Sequence, residues 1–260
     1  MKAIICGAGI AGLTLAICLG REGWQVTLLD AGVAARDEGY MIDVFGSGFE
    51  AARRLGLMPR LQEIAYEFDA IEWRGGSGPA TSRLAYRTIR DLLEGRLVSL
   101  LRGDLERTLV EQLPPGVEMR FESLVTQIRT PVGGVEVVLS SGEVEQADVL
   151  VGADGIHSRI RELAFGDGAQ WFRFMGFHTA AFVFHDPAVH ASLGHNLRVV
   201  SVPGRLVGFY PLRNAEVAVF FAHRASNGAP PVSAVGALAQ VYGDLQEPVR
   251  TAVKAAENVA

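Results

Sequence analysis

The stretch Lys2–Asp30, KAIICGAGIAGLTLAICLGREGWQVTLLD, decides the fold. Lys2–Cys6 reads as a buried strand, because its apolar run is unbroken after one lysine. Gly7-Ala8-Gly9-Ile10-Ala11-Gly12 follows at once. Ile10–Arg21 then reads as a helix with Ile10, Leu13, Ile17 and Cys18 on one face. Gln25–Asp30 is a second strand. Strand, glycine turn, helix and strand make a βαβ unit whose crossover is expected to be right-handed.

A lone G-x-G-x-x-G is a weak signal. Here it follows a strand, opens a helix, and has Asp30 at the end of the next strand, 18 residues beyond Gly12. Gly7 permits the tight turn, Gly9 lets a pyrophosphate approach the backbone, and Gly12 lets helix and strand pack closely. The helix start offers unpaired N–H groups and a positive dipole end to phosphates. Asp30 accepts hydrogen bonds from ribose hydroxyls, and its charge disfavours a 2′-phosphate. The site therefore favours FAD or NAD over NADP.

Composition bounds the rest. The chain has 260 residues, 49% hydrophobic and 20% charged, which suits a globular protein of one large or two interleaved domains. A net charge of -5 leaves no basic footprint for nucleic acid. Cys6 and Cys18 both lie in apolar stretches and read as reduced core residues of a cytoplasmic protein. The six histidines are scattered without ligand spacing, so no metal is expected. The apolar N-terminus is interrupted by glycines and is followed by no cleavage signature. No run is long enough to span a membrane.

Further along, a helix over 48–55 ends at Gly56. Short strands over 70–74 and 83–86 begin an excursion into a second layer. The chain returns with a strand at 97–101 and a helix at 103–113, stopped by Pro114-Pro115. Strands follow at 117–121, 125–129 and 135–139, with a turn at Ser140–Gly142. Asp148–Gly152 reads as a buried strand. Beyond 166 the pattern predicts an antiparallel sheet from strands at 172–184, 197–203, 205–211 and 216–223, then helices at 232–242 and 247–259.

The stretch ADVLVGADGIHSRIR, Ala147–Arg161, is the second informative turn. Asp154 is an acceptor-only carboxylate at a strand end, where open α/β sheets bind ligands. Gly155 allows close approach, and Ser158 is placed to cap the helix starting near Arg159. For Arg159 and Arg161, a solvated face and a cofactor contact both stay open.

Four motifs together resemble the class A flavoprotein monooxygenases, the para-hydroxybenzoate hydroxylase-like family. They are GAGIAG with Asp30; GYMIDVFGSGFEAARRLGL, Gly39–Leu57; Arg102 in RGDLERTL with Leu105 and Leu109; and the Asp148–Arg161 segment with Asp154, Gly155, Ser158 and Arg161. The second is closest to the tetracycline-inactivating branch. The resemblance covers the N-terminal two-thirds of the family pattern. It implies an α/β fold, with a Rossmann-like, GR2-type FAD-binding domain (1–67 and 97–166) interleaved with an antiparallel-sheet substrate domain (68–96 and 167–260). It further implies that Gly7, Gly9, Ile10, Ala11, Gly12, Asp30, Asp43, Arg102, Val125, Asp154 and Gly155 hold FAD. Phe182, Tyr210 and Arg213 are the candidate substrate contacts, among several aromatic residues of the sheet whose alternation lets only some face a pocket.

The implied activity is oxygenation of an aromatic or polycyclic, polyketide-like small molecule with NADH or NADPH and O₂, through a flavin C4a-hydroperoxide. The cofactor carries that chemistry, so no obligatory catalytic side chain is assigned. One family motif is missing, a late Gly-Asp strand followed by a proline and a glycine-rich helix start. The pairs Gly103-Asp104, Gly166-Asp167 and Gly243-Asp244 lack its context. Without that segment the sheet lacks a strand, and the uncovered apolar faces are an association liability. The C-terminal part of the family fold is therefore expected to be missing from this chain. A fragment, a split enzyme completed by a second polypeptide, and a shortened fold with another role stay open, the first two ranked above the third. Oxygenase activity is expected only if the segment is supplied or dispensable. Two further classes remain: an FAD-binding non-oxidative cyclase or binding protein, and an NAD-dependent dehydrogenase, against which the arginine and Asp-Gly motifs speak.

Overall fold

The computed structural model describes residues 1–33, 40–76, 80–166 and 168–258. In chain order the strands are β1 (Lys2–Cys6), β2 (Gln25–Leu29), β3 (Met41–Phe45), β4 (Ala70–Arg74), β5 (Ala80–Ala85), β6 (Leu97–Leu101), β7 (Val117–Arg120) and β8 (Val125–Arg129). Then come β9 (Val135–Leu139), β10 (Val144–Ala147), β11 (Val149–Gly152), β12 (Phe177–His185), β13 (Asn196–Val202), β14 (Arg205–Pro211) and β15 (Glu216–Arg224). The α-helices are α1 (Ile10–Arg21), α2 (Gly46–Leu55), α3 (Met58–Ile64), α4 (Tyr86–Leu92), α5 (Arg102–Glu111), α6 (Arg159–Phe165), α7 (Pro187–Leu193), α8 (Ala234–Tyr242) and α9 (Val249–Ala255).

By packing, the chain divides into a first unit, Met1–Asp37 with Leu105–Arg173, and a second, Glu38–Asp104 with Phe174–Ala260. The first unit carries a parallel sheet in the order β11-β1-β2-β7 and an antiparallel sheet in the order β10-β9-β8. β1 is central, paired with β2 on one side and β11 on the other. Its residues Ala3, Ile4 and Ile5 are fully buried, as an inner parallel strand requires. Ile4, Cys6 and Leu29 pack with Val125, Val137 and Leu139 of the antiparallel sheet and with Ile160 of α6. Each such side chain contributes about 1.5–3 kcal/mol by leaving water.

The second unit carries a six-stranded sheet in the order β12-β15-β14-β13-β4-β5, and the pair β3-β6. Only β13 and β4 run parallel; the other neighbours are antiparallel. One face of the large sheet packs on α7, α8 and α9 through Phe184, Phe209, Phe221, Leu193, Tyr242 and Val249.

Several expectations need correction. Asp148–Gly152 is not a buried strand: among the described residues β11 is at the edge of its sheet with one neighbour, and Val149 is 39% exposed. Cys18 is exposed, because α1 buries the stripe Gly12, Leu13, Ala16 and Ile17, one helical step away. Tyr86 does not end a strand; it opens α4. Phe172 to Gly176 precede β12. The short helices α3 and α7 and the strand β10 had no reading in the sequence, being too brief for periodicity to speak. Residues 38–67 and 97–104 group with the second unit, although the resemblance put them in the FAD-binding domain. Gly39, Asp167 and Val259, which took part in the sequence readings, lie outside the described residues.

Candidate functional site

In the first unit the site is made chiefly by backbone. Gly7 sits at φ +107°, a region closed to most side chains. A Cβ on Gly7 would lie 2.4 Å from the carbonyl oxygen of Ala153, and one on Gly12 would lie 1.9 Å from that of Gly7. The two glycines therefore let β1, α1 and the turn after β11 close on one another. Gly9, at φ -80° and ψ -177°, is the N-cap of α1. No side chain caps this end, and no acidic residue occupies its first turn. The positive end of the helix is thus left for an anion.

Asp30 serves this turn first. Its Oδ2 accepts from the Ala8 N–H at 2.7 Å, and its Oδ1 accepts from the Gly32 N–H at 2.8 Å. Each carboxylate oxygen has a second lone pair with which to meet ribose hydroxyls. An uncapped helix end, a glycine turn and an adjacent carboxylate fit a dinucleotide's pyrophosphate and ribose.

The second turn is self-contained. Asp154 accepts from the Ser158 hydroxyl at 2.5 Å and from the Ile160 N–H at 3.0 Å. Ser158 in turn accepts from the Arg161 N–H at 3.0 Å and caps α6. Asp154 and Ser158 together satisfy the first turn of α6. Gly155 is at φ +83° with nothing near an added Cβ, so conformation alone demands glycine there. Arg159 pairs with Glu162 on an exposed face, while Arg161 donates back to the Ile156 carbonyl at 2.7 Å. Cys6 is near enough to Asp154 to feel its charge; burial first, then that charge, push its thiol up to about 12.

In the second unit a different arrangement gathers around Asp43. Asp43 lies mid-strand in β3, opposite Ser99 of β6. The Ser99 hydroxyl donates to Asp43 Oδ1 at 2.5 Å. The Tyr86 hydroxyl is 2.5 Å from Ser99 Oγ and 3.2 Å from the same Asp43 oxygen. Phe68 stands edge-on to Tyr86 and to Tyr210, with ring centroids 5.6 and 6.5 Å away. Burial, followed by the charge of Asp43, raises the Tyr210 phenol. A cavity of about 260 Å³, lined by Gln62, Tyr66, Tyr86, Arg90, Leu97 and Ser99, adjoins the two hydroxyls.

The other sequence candidates divide. Val125 is buried in the first unit's core, so only its main chain is available to a cofactor. Arg102 is the first residue of α5, and its N–H donates to the Tyr40 carbonyl. Phe182 does not share a face with Tyr210: its ring packs into the helix-covered core, 5.9 Å from Phe221 and 6.0 Å from Phe184. Arg213 is engaged by the chain itself. It donates to the carbonyls of Ile64 and Ala65 at the end of α3, and its guanidinium lies 4.4 Å from the centre of the Tyr66 ring. Tyr86 and Ser99 were missed. Ser99 had a signal, a lone polar residue inside LVSLL; Tyr86 had none beyond its misread strand.

Among the described residues no helix is long and apolar enough to cross a membrane, and no group of histidine, cysteine or acidic side chains is placed to hold a metal. Comparison with known proteins bears on the same site. A 3-amino-4-hydroxybenzoate 2-monooxygenase of Streptomyces platensis, PtnB3, is 34% identical over 212 residues, covering 76% of this chain and 52% of the relative. A flavin-dependent monooxygenase of Legionella longbeachae is 25% identical over 223 residues, covering 84% of this chain and 55% of the relative. The chain thus spans about half the length of these curated relatives. Tetracycline destructase Tet(51) shares the fold with a TM-score of 0.79 at 20% identity, over 99% of this chain and 66% of that one. Klebsiella pneumoniae HpxO, solved with FAD and uric acid, does so with a TM-score of 0.75 at 21% identity, over 98% and 65%. The family model for the FAD binding domain matches residues 1–236, which include the glycine turn, Asp30 and the Asp154 turn, and this chain therefore belongs to the FAD-binding domain family.

Proposed function

We propose that this chain is the greater part of an FAD-dependent monooxygenase that uses NADH or NADPH and O₂ to oxygenate an aromatic or polycyclic small molecule. The uncapped α1 end behind Gly7, Gly9, Ile10, Ala11 and Gly12, with Asp30 beside it, is the observation that carries the reading. That turn would hold the pyrophosphate, and Asp30 the ribose. Val125 through its main chain and the Asp154–Gly155 turn are the first unit's further contacts. In the second unit, Asp43 and Arg102 are the residues assigned to the flavin. Bound FAD supplies hydride acceptance and oxygen activation. The protein's part is to bind and orient the cofactor, hold a substrate and keep water away.

Tyr210 is retained as a substrate contact, because it is half-buried on the sheet face opposite the helices. Phe182 and Arg213 are not retained, since core packing and the α3 carbonyls already occupy them. The aminohydroxybenzoate relative supports an aromatic substrate. A cytoplasmic location is supported by the free thiols of Cys6 and Cys18.

A further segment, from the same protein or a second polypeptide, is proposed to complete the first unit. The favouring observation is β11, an apolar strand at the open edge of a parallel sheet. The test is a visible spectrum of the purified chain after adding FAD and removing the excess. A retained flavin band, bleached by NADH or NADPH and restored by air, is the expected result. If no band is retained, even with the missing Gly-Asp segment supplied in trans or by fusion, the proposal fails.

A further inference from the structure

We propose that Ser99 and Tyr86 are positioning residues, which hold the Asp43 carboxylate as a fixed hydrogen-bond acceptor for a donor group of the flavin. The inference rests on the reading that Asp43 meets the flavin, and goes beyond it by assigning the two hydroxyls that prepare it.

The argument begins with register. Asp43 and Ser99 are directly opposed in the antiparallel β3-β6 pair, where facing side chains stand about 4.5–5.5 Å apart at Cβ. That spacing suits a short hydroxyl reaching a short carboxylate. β6 is also held on its other side by Tyr66, whose N–H donates to the Ser99 carbonyl at 2.8 Å. The Ser99 backbone is therefore tied on both flanks. Its single hydroxyl proton goes to Asp43 Oδ1, and Tyr86 closes the chain on the same two oxygens.

Burial separates the supports from the group they support. Ser99 is 3% exposed and Tyr86 5%, whereas Asp43 is exposed. Burial raises the Tyr86 phenol; the bond with Ser99 works against that and the charge of Asp43 adds to it, and the net direction is upward, so the group stays protonated and can donate. Both hydroxyls converge on Oδ1 and leave Oδ2 outside this chain of bonds. An exposed carboxylate ordinarily samples several rotamers. This one is pinned through one oxygen, with the other available to a ligand. Binding then orders one side chain fewer, the usual gain from preorganisation.

The test is a titration of the flavin-free chain with FAD, followed by quenching of flavin fluorescence, on wild type, D43N, S99A, S99T and Y86F. Melting curves check that each variant folds. The expected result is binding about tenfold weaker for S99A, recovery in S99T, which restores the hydroxyl, and a smaller loss in Y86F. If D43N weakens binding while S99A and Y86F bind like wild type, the positioning role is overturned and the flavin contact stands. If D43N binds like wild type, the reading of Asp43 fails and the inference goes with it. A second measurement needs no flavin. Three-bond couplings from the backbone N and C′ to Cγ of Asp43 report its χ1 angle. A single rotamer in the wild type, averaged in S99A, is expected. Averaged couplings in the wild type would overturn the proposal whatever the titration shows.

Discussion

The glycine turn of the first unit and the Asp43 cluster of the second are built by different means. In the first, the working groups belong to the backbone. Gly7, Gly9 and Gly12 act by having no side chain, and Asp30 supports them through two N–H bonds within its own neighbourhood. In the second, the working groups are side chains from three separate segments, Asp43, Tyr86 and Ser99, joined through strand register. A backbone site tolerates almost no added atom. A side-chain site tolerates change in proportion to the bonds lost.

Substituting Gly12 should break the contrast most sharply. Gly12→Ala puts a methyl 1.9 Å from the Gly7 carbonyl, a backbone atom with nowhere to go. The expected loss is about 3 kcal/mol in chemical denaturation, together with FAD retention. A Gly12→Ala protein with wild-type stability would mean that close approach is not what this glycine provides.

A middle-sized effect should come from Asp154→Ala. It removes two bonds at the start of α6, so a loss of about 1–2 kcal/mol is expected. Gly155→Ala removes no side-chain bond and meets no close neighbour, so it should cost about 1–2 kcal/mol through its positive φ alone. A loss for Gly155→Ala matching that of Gly12→Ala would erase the distinction between conformation and close approach.

The smallest effect is a pH dependence in the second unit. His223 is held below its ordinary value of 6.5, by burial and then by His178. Its ring nitrogen lies 3.3 Å from the Tyr242 hydroxyl, and Arg205, paired with Asp244, is its cross-strand neighbour. The folded state resists protonation of His223 that the unfolded state accepts. Stability from this group is therefore complete above about pH 6.5 and declines as pH falls through that value. Denaturation midpoints measured from pH 8 to pH 5 should fall less steeply in His223→Gln than in the wild type. Equal slopes would remove His223 from the account.

The first unit was the more legible because its information is local. A strand, a glycine turn, a helix and a carboxylate lie within one stretch of chain, and each step has its own period or residue signature. β1 and α1 have the predicted bounds, and Ser158 caps α6 as its position suggested. The roles of Phe182 and Arg213 were not legible. Alternation says that neighbours in a strand face opposite ways, but not which face the helices cover. Nothing local in Leu212-Arg213-Asn214 announces that α3 will end within reach of its guanidinium.

The amino-acid sequence by itself determined the βαβ opening, the tight turn at Gly7, the acidic residue at the end of β2 and the family these imply, because each depends on residues near one another in the chain; for Gly155 it suggested close approach, and the structure gave a positive φ instead. Only the tertiary structure decided that β11 is an edge, that Cys18 faces out, that Phe182 is core, and that Ser99 and Tyr86 meet on Asp43. Those outcomes depend on which surfaces are brought together across tens of residues, and that is a property of packing and register, which no local pattern encodes.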